Sequence, residues 1–401
     1  MKQLGVPFLL LLIAISAIGP LALNGVLPAT TAIIADLSTR YEVVQLVLTV
    51  FLLASLVSQL ILGPAADRIG RRPVMLGSLC VFVLGSLTCA VATSVELLLF
   101  GRFLQGFGGA VCVFLPRTIV RDVSSEARAA SLIGYMTTAM MVAPLFGPAL
   151  GGWITDSASW RFMYVSLAVL GVTLCIATYR YQIETLASLI SDDASTLSLA
   201  NSSLFASSGI LLKNPAFLAC ICMQAGAVGV YYSFLSGAPY VAMESRGLSA
   251  STYGIWFSMV AVGYLSGNLV AGKFSEQLGV HRMILWGFAP FMVGVGLFWL
   301  LLPLHHPLAL FLPMQLVAFS NGMSLPSMFS VAMSIRPDLA ASASGLAGSA
   351  QTAFGVVLTL IIGFALPYGD AWMFVLLTAS AGLSLVGLLW MLRQRRLPAT
   401  L

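Results

Sequence analysis

The stretch Gly63-Pro64-Ala65-Ala66-Asp67-Arg68-Ile69-Gly70-Arg71-Arg72 lies between two apolar runs of membrane-spanning length, 43–63 and 73–95. One acid, three arginines and two glycines are compressed into it. Charge is costly in hydrocarbon, so this cluster must face headgroups, water or itself. Glycine permits a sharp turn. The stretch therefore reads as a tight hairpin joining two helices at a membrane face.

Composition extends that reading to the whole chain. Of 401 residues, 59% are hydrophobic and only 8% charged, against about 25% charged in ordinary soluble domains. The mean hydropathy is +0.99. A span takes roughly 20 apolar residues, so the length accommodates about twelve spans with their connections. Apolar runs fall at 6–35, 43–63, 73–95, 99–120, 130–153, 160–179, 214–240, 250–272, 283–304, 308–334, 341–366 and 370–392. In lipid the backbone must satisfy its own hydrogen bonds, which leaves helices or a closed barrel. A barrel needs alternating segments of about ten residues, and these runs are longer and continuous. The expected fold is an all-α polytopic membrane protein with twelve transmembrane helices.

The net charge of +5 reports orientation first and is no nucleic-acid signal. With the N-terminus inside, Lys2, Arg68, Arg71, Arg72, Arg121, Arg128, Arg180, Lys213, Lys273, Arg282, Arg336, Arg393, Arg395 and Arg396 fall on the cytoplasmic side, and Arg40, Arg161 and Arg246 opposite. Both termini are expected in the cytoplasm. Between Lys2 and Asp36 no charged residue occurs. That is too long for a cleaved signal h-region and reads as a retained first helix. The six cysteines lie inside apolar segments and read as small hydrophobes. None of the three histidines stands in a metal-ligand pattern, so no metal and no cofactor are expected.

A Ser-rich connection divides the chain into 1–180, a linker at 181–212, and 213–401, with six spans on either side. The halves repeat weakly. Gly63 and Gly70 map onto Gly272 and Gly279 at an offset of 209, and Leu115-Pro116 onto Leu325-Pro326 at 210. Repeated units place a substrate site at their interface near the bilayer midplane.

Several span residues stand out chemically. Arg102-Phe103-Leu104-Gln105-Gly106 puts an arginine inside the fourth span, a functional candidate by default; the plainer alternative is a snorkelling side chain. Arg117 stands one turn from Arg121 and is read with the cytoplasmic charges. The fifth span carries Ala143-Pro144-Leu145-Phe146-Gly147-Pro148-Ala149-Leu150-Gly151-Gly152, whose small residues allow close helix contact and whose prolines bend it. In the second half, Tyr231, Tyr232, Phe234, Gln315, Asn321 and Gln351 are candidate cavity residues, although a span aromatic more often serves packing.

The hairpin pattern G-x-x-x-D-R-x-G-R-R resembles the signature loop of the major facilitator superfamily. Arg102-x-x-Gln105-Gly106 resembles that superfamily's R-x-x-Q-G motif, and Gly147-Pro148-x-x-Gly151-Gly152 resembles the G-P-x-x-G-G motif of drug and proton antiporters. With Leu27-Pro28-Ala29 and Pro116-Arg117-Thr118-Ile119-Val120-Arg121-Asp122, the chain is similar to the bicyclomycin and chloramphenicol exporter branch. The resemblance implies two pseudo-symmetric six-helix bundles and a latch in which Asp67, Arg71 and Asp122, with Arg68, Arg72, Arg117 and Arg121 nearby, hold the outward-facing state. It implies a cavity-facing Arg102, with Gln105 beside it. It also implies export of a small organic molecule across the bacterial inner membrane.

One position departs from the branch. Its usual first-helix aspartate, four residues before the proline, is Asn24 here. Asn24 can hydrogen-bond a substrate but cannot exchange a proton near neutral pH. Protons remain a candidate co-substrate, with Asp67 and Asp122 the nearest titratable groups. The expected cargo is neutral or anionic, and the carrier is expected to be a monomer. No nucleophile–base pair or metal cluster points to an enzyme. The alternatives are an importer of the same fold, or a transporter-fold receptor, which would need an appended soluble domain.

Overall fold

The computed structural model describes residues 6–123, 142–185, 209–336 and 340–395, together with Leu132, Met136 and Met140. The described residues form helices and short connections, without strands. Eleven of these helices are long and apolar enough to cross a membrane. The fifth expected span, 130–153, begins largely outside the described residues. Its described part is the 16-residue helix Val142–Ser157. Lys2, Arg128, Arg396 and most of the linker 181–212 also lie outside, as do the side chains of Asp67, Arg68 and Arg121.

In chain order the helices are α1 (Val6–Asn24), α2 (Thr30–Asp36), α3 (Tyr41–Ile69), α4 (Arg71–Ala90), α5 (Val95–Val123), α6 (Val142–Ser157), α7 (Trp160–Tyr181), α8 (Pro215–Pro239), α9 (Ala250–Leu278), α10 (Val280–Leu300), α11 (Leu308–Ser334), α12 (Ala340–Ala365) and α13 (Ala371–Arg395). Local sequence sets several boundaries. Asn214 caps α8, its side-chain oxygen accepting from the backbone N–H of Ala216 at 2.9 Å and of Phe217 at 3.3 Å. Pro215 follows at the first helical position, where its missing N–H costs nothing. The expected single helix at 6–35 is broken. The α-helix stops at Asn24, a 3₁₀ turn covers Leu27–Ala29, and α2 resumes at Thr30. Pro28 cannot donate into the helical ladder, and this explains the interruption.

The signature hairpin is tighter than a loop. Gly70 is the lone residue between α3 and α4, with φ +120°. Gly279 separates α9 from α10 in the same way, with φ +76°. Both conformations strongly favour glycine. The two residues are the pair related by the offset of 209, so the repeat extends to backbone geometry.

The chain clusters into two compact units, one comprising 1–194 with 247–258, the other 195–246 with 259–401. In the first unit α4 and α5 pack together, α3 and α1 lie on α5, and α7 lies on α4. Its core includes Ile15, Phe51, Phe82, Val111 and Tyr164, all buried. In the second unit α8 is central, packed on α11, α12 and α13. A side chain on Gly226 would run into the α13 backbone at Ser384, and one on Gly387 into the α8 backbone at Met223. This is the close approach small residues give helices in lipid. Phe234 anchors an aromatic cluster, with ring centroids 6.1 Å from Phe298 and 5.7 Å from Phe311.

Phe234 is fully buried, so Phe234→Ala should open a cavity in the second unit. Lipid is as apolar as the core, so the transfer cost largely disappears and the cavity cost remains, about 2 kcal/mol. Thermal unfolding in detergent, followed by the reactivity of buried Cys220, should show a lowered midpoint. An unchanged midpoint would mean that the cluster does not contribute to stability.

Candidate functional site

The signature hairpin ends in a charge network within the first unit. Arg71 opens α4, and its Nε donates to Asp122 Oδ2 near the end of α5 at 3.1 Å; both side chains are 5% exposed. Removing one member of so buried a pair strands the other, at a cost of about 3–5 kcal/mol. A third participant comes from beyond α7. The Glu184 carboxylate accepts from the backbone N–H of Arg71 at 2.9 Å and of Arg72 at 3.0 Å. It thus caps the α4 N-terminus, where unsatisfied N–H groups and the helix dipole favour an anion. Thr185 Oγ1 reaches Asp122 at 3.4 Å. Arg72 donates to the Tyr179 carbonyl at 2.5 Å and stands 5.4 Å from that residue's ring centroid. The Arg117 guanidinium lies 3.5 Å from Met140 Sδ.

Arg102 is fully buried. Its Nε donates to the Val47 carbonyl of α3 at 3.1 Å. One terminal nitrogen donates to the Ala22 carbonyl of α1 at 3.1 Å and to Gln105 Oε1 at 2.6 Å. Gln105 passes the network to Ser86 Oγ of α4 at 2.8 Å. The guanidinium lies 4.5 Å from the Phe51 ring centroid, a cation–π contact strengthened by desolvation. The structure thus places Arg102 among four helices of the first unit; among the described residues no carboxylate is a hydrogen-bond partner and its second terminal nitrogen is unmatched.

Asn24 closes α1 and is buried, its amide nitrogen donating back to the Pro20 carbonyl at 2.8 Å. The next residue, Gly25, receives the α6 motif. A side chain on Gly151 would run into the Gly25 carbonyl, and one on Gly147 would come within 3.3 Å of Leu21. The other side of α6 meets the start of α9: Gly152 lies against the Ala250 backbone and Gly254 against the Pro148 carbonyl. Asp156, one turn beyond the motif, accepts from the backbone N–H of Ser251 at 2.8 Å.

In the second unit the polar candidates separate. Gln351 of α12 donates to Gln224 of α8 at 2.9 Å, and Asn321 of α11 to the Ala227 carbonyl at 3.1 Å. These three amides converge on one stretch of α8. Phe234 belongs to the aromatic core instead. Tyr231 and Tyr232 are half-buried neighbours with centroids 6.0 Å apart. Gln315, also half-buried, packs its backbone against Gly263.

The family model described as Major Facilitator Superfamily matches residues 9–359. This chain belongs to that superfamily. It is 30% identical over 93% of both chains to an MFS-type transporter, YdgK, of Bacillus subtilis. It is 29% identical to multidrug resistance protein D of Escherichia coli, over 87% of this chain and 86% of that one. It is 27% identical over 88% of both chains to a bicyclomycin resistance protein homolog of Haemophilus influenzae. Among solved structures, a D-xylose-proton symporter shares the fold with a TM-score of 0.72 at 14% identity, over 96% of both chains.

For a facilitator of this superfamily, sequence reasoning found Arg71 and Asp122 but missed Glu184. That acid fell inside the linker 181–212, and its one signal was a lone carboxylate just past a span beside an arginine-rich hairpin. Gln224 was missed because a glutamine in a long apolar run carries no charge signal. At the other ends of α4 and α7, Asp36 was missed as the partner of Arg161. Its carboxylate pairs with that guanidinium and accepts from Trp160 Nε1 at 3.3 Å, while Arg161 also donates to the Ala92 carbonyl at 2.7 Å.

Gly70 is held by two constraints, its φ and the Glu184 carboxylate, which a Cβ would meet at 2.6 Å. Gly70→Ala should therefore cost more than Glu184→Gln, which keeps one acceptor oxygen and loses the charge, about 1 kcal/mol. Thermal midpoints of the purified protein in detergent should fall in the order wild type, Glu184→Gln, Gly70→Ala. Equal midpoints would remove the cap from consideration.

Proposed function

We propose that this protein is a secondary active exporter of a small organic molecule, working by alternating access, in the bicyclomycin and chloramphenicol branch of its superfamily. The α6 motif carries the reading. Gly147-Pro148-x-x-Gly151-Gly152 is the antiporter-type element, and its glycines take Gly25 on one face and the first turn of α9 on the other. The resistance functions in the names of two relatives support the same direction of transport. The chain is read as a carrier and not an enzyme, because its distinctive residues serve packing, capping and gating. It acts in a bacterial inner membrane with both termini in the cytoplasm, as a monomer of two six-helix bundles, 1–180 and 213–401, joined by 181–212.

The proposed cargo is neutral or anionic. Asn24 supplies no negative charge. The Arg102 guanidinium lies among carbonyls, an amide oxygen and a ring, and a cationic side chain so placed opposes a bound cation. Tyr231, Tyr232, Gln315 and the Gln224–Gln351 pair are the proposed contacts in the second unit. Uptake of labelled chloramphenicol and of a panel of carboxylate-bearing analogues into inside-out vesicles, against whole cells, tests direction and charge together. Accumulation in whole cells that depends on the protein would reverse the direction. Tighter binding of lipophilic cations than of anions of similar size would overturn the charge preference.

In this reading Asp67, Arg71 and Asp122 form the latch, with Glu184 fixing the start of α4. Asp67→Asn should abolish transport while membrane abundance stays near normal. Loss of an interaction of about 1–3 kcal/mol skews a two-state equilibrium by roughly 5–150-fold. Accessibility of cysteines placed on the cytoplasmic face should rise as accessibility on the outer face falls. Unchanged transport would eliminate the latch.

Proton coupling through the first helix is absent in this proposal, because Asn24 stands where the branch carries a carboxylate. Asn24→Asp should alter the pH profile of transport in proteoliposomes, and an imposed pH gradient should drive less transport by the parent than by a relative that has the first-helix aspartate. A parent that already shows strong gradient-driven transport, surviving Asp67→Asn and Asp122→Asn separately, would contradict it.

A further inference from the structure

Two cysteines that the sequence separates by 95 positions meet at the surface of the first unit, between two helices of membrane-spanning length. Cys80 of α4 is exposed and Cys175 of α7 half-buried, with their sulfurs 3.8 Å apart. They form the floor of a groove of about 310 Å³ whose remaining lining is Val83, Leu84, Val172 and Ile176. Leu84, Val172 and Ile176 are themselves exposed. The groove therefore offers two thiols and otherwise only hydrocarbon.

The separation is that of a thiol–thiol hydrogen bond, and it also sets which bridging groups the pair can take with little movement. Bonded disulfide sulfurs lie about 2.0 Å apart, so 3.8 Å leaves room for one bridging atom. Two bonds of ~2.3 Å, the length of a zinc–thiolate bond, at a tetrahedral angle put the sulfurs about 3.8 Å apart. Zinc would still need two further nitrogen, oxygen or sulfur ligands, and the groove lining supplies none. A centre suited to this place must accept two thiolates, carry its own apolar third substituent and end uncharged, because a residual charge in hydrocarbon is costly. Trivalent arsenic bearing an aryl group meets all three requirements. Its pyramidal angle is somewhat narrower than tetrahedral, a difference that a small turn of either cysteine side chain absorbs.

We propose that Cys80 and Cys175 form a dithiol site for neutral trivalent aryl-arsenicals. The arsenic would bridge the two sulfurs and its ring would lie along Val83, Leu84, Val172 and Ile176. The reaction is a condensation without redox change. An aryl-arsonous acid, aryl–As(OH)₂, exchanges two As–O bonds for two As–S bonds, and each thiol proton leaves with a hydroxyl as water. The product staples α4 to α7. These two helices are already tied at one end by Glu184 on the α4 N-terminus, so the staple stiffens the pair that carries the charge network. The site stands independently of the transport reading.

The test uses the full-length protein in detergent with phenylarsine oxide, which hydrates to the arsonous acid. Intact mass should show one phenylarsenic group per chain and the disappearance of two free thiols. Peptide mapping should place the bridge between Cys80 and Cys175. Release should be rapid with 2,3-dimercaptopropanol and slow with a monothiol. Cys80→Ser and Cys175→Ser should each weaken retention by about a hundredfold or more, the loss expected when a second attachment is removed. The proposal fails if the group maps to other cysteines, if either single variant retains it as the parent does, if no adduct forms, or if the parent instead loses two hydrogens as a disulfide. Mapping on the parent decides the matter even if a variant folds poorly.

Discussion

A hydrocarbon bilayer gives a peptide group nothing to hydrogen-bond with, and this constraint shapes the chain at every level. Backbone groups are satisfied within helices, as they must be in lipid. The hydrophobic effect that builds soluble cores does not act between helices there, so association falls to close packing and to a few polar ties. Both devices are visible. Glycines seat helix backbones against one another at α6 on α1 and at α8 on α13. Arg102, Gln105 and Ser86 link α1, α3, α4 and α5 through one buried network.

The same constraint explains how the charges are placed. At one end of the first unit, the Arg71–Asp122 pair and the Glu184 cap close the hairpin. At the other end of the same helices, Arg161 joins Asp36, Trp160 and the Ala92 carbonyl. Each cluster ties the end of one helix to a residue distant in sequence. The ends are therefore specified by side-chain chemistry, and the middles by shape. Arg102 lies inside α5 and is fully buried. Its acceptors are backbone carbonyls and an amide oxygen, so it joins helices without an ion pair among the described residues.

The second unit uses a different vocabulary. Among the described residues its buried polar groups are amides and hydroxyls, including Gln224, Asn321, Ser320 and Ser384, with the half-buried Gln351 donating to Gln224. Its Phe234 cluster supplies bulk where the first unit has a charged network. This asymmetry overlies a shared plan, seen in the equivalent one-residue glycine hinges at Gly70 and Gly279. The two halves keep the backbone solution to a tight turn and diverge in side-chain chemistry.

The hydrophobic runs and the glycine–arginine hairpin by themselves determined the helical class, the near-complete map of spans, the repeat and the superfamily. These are local or periodic properties, set by the length of a run and the residues that break it. The Arg71–Asp122 contact was legible because the motif brings a known spacing to a helix end. Only the tertiary structure decided what lies across from what. It joined Glu184 to the first residues of α4, Asp36 to Arg161, Gln224 to Gln351, and Cys80 to Cys175. It put Phe234 into an aromatic core and Arg102 among the carbonyls of neighbouring helices. The physical reason is rotational. A run of apolar residues fixes that a helix crosses the membrane, but its uniform hydrophobicity leaves the facing of each side chain undetermined. Packing against the neighbouring helices sets that angle.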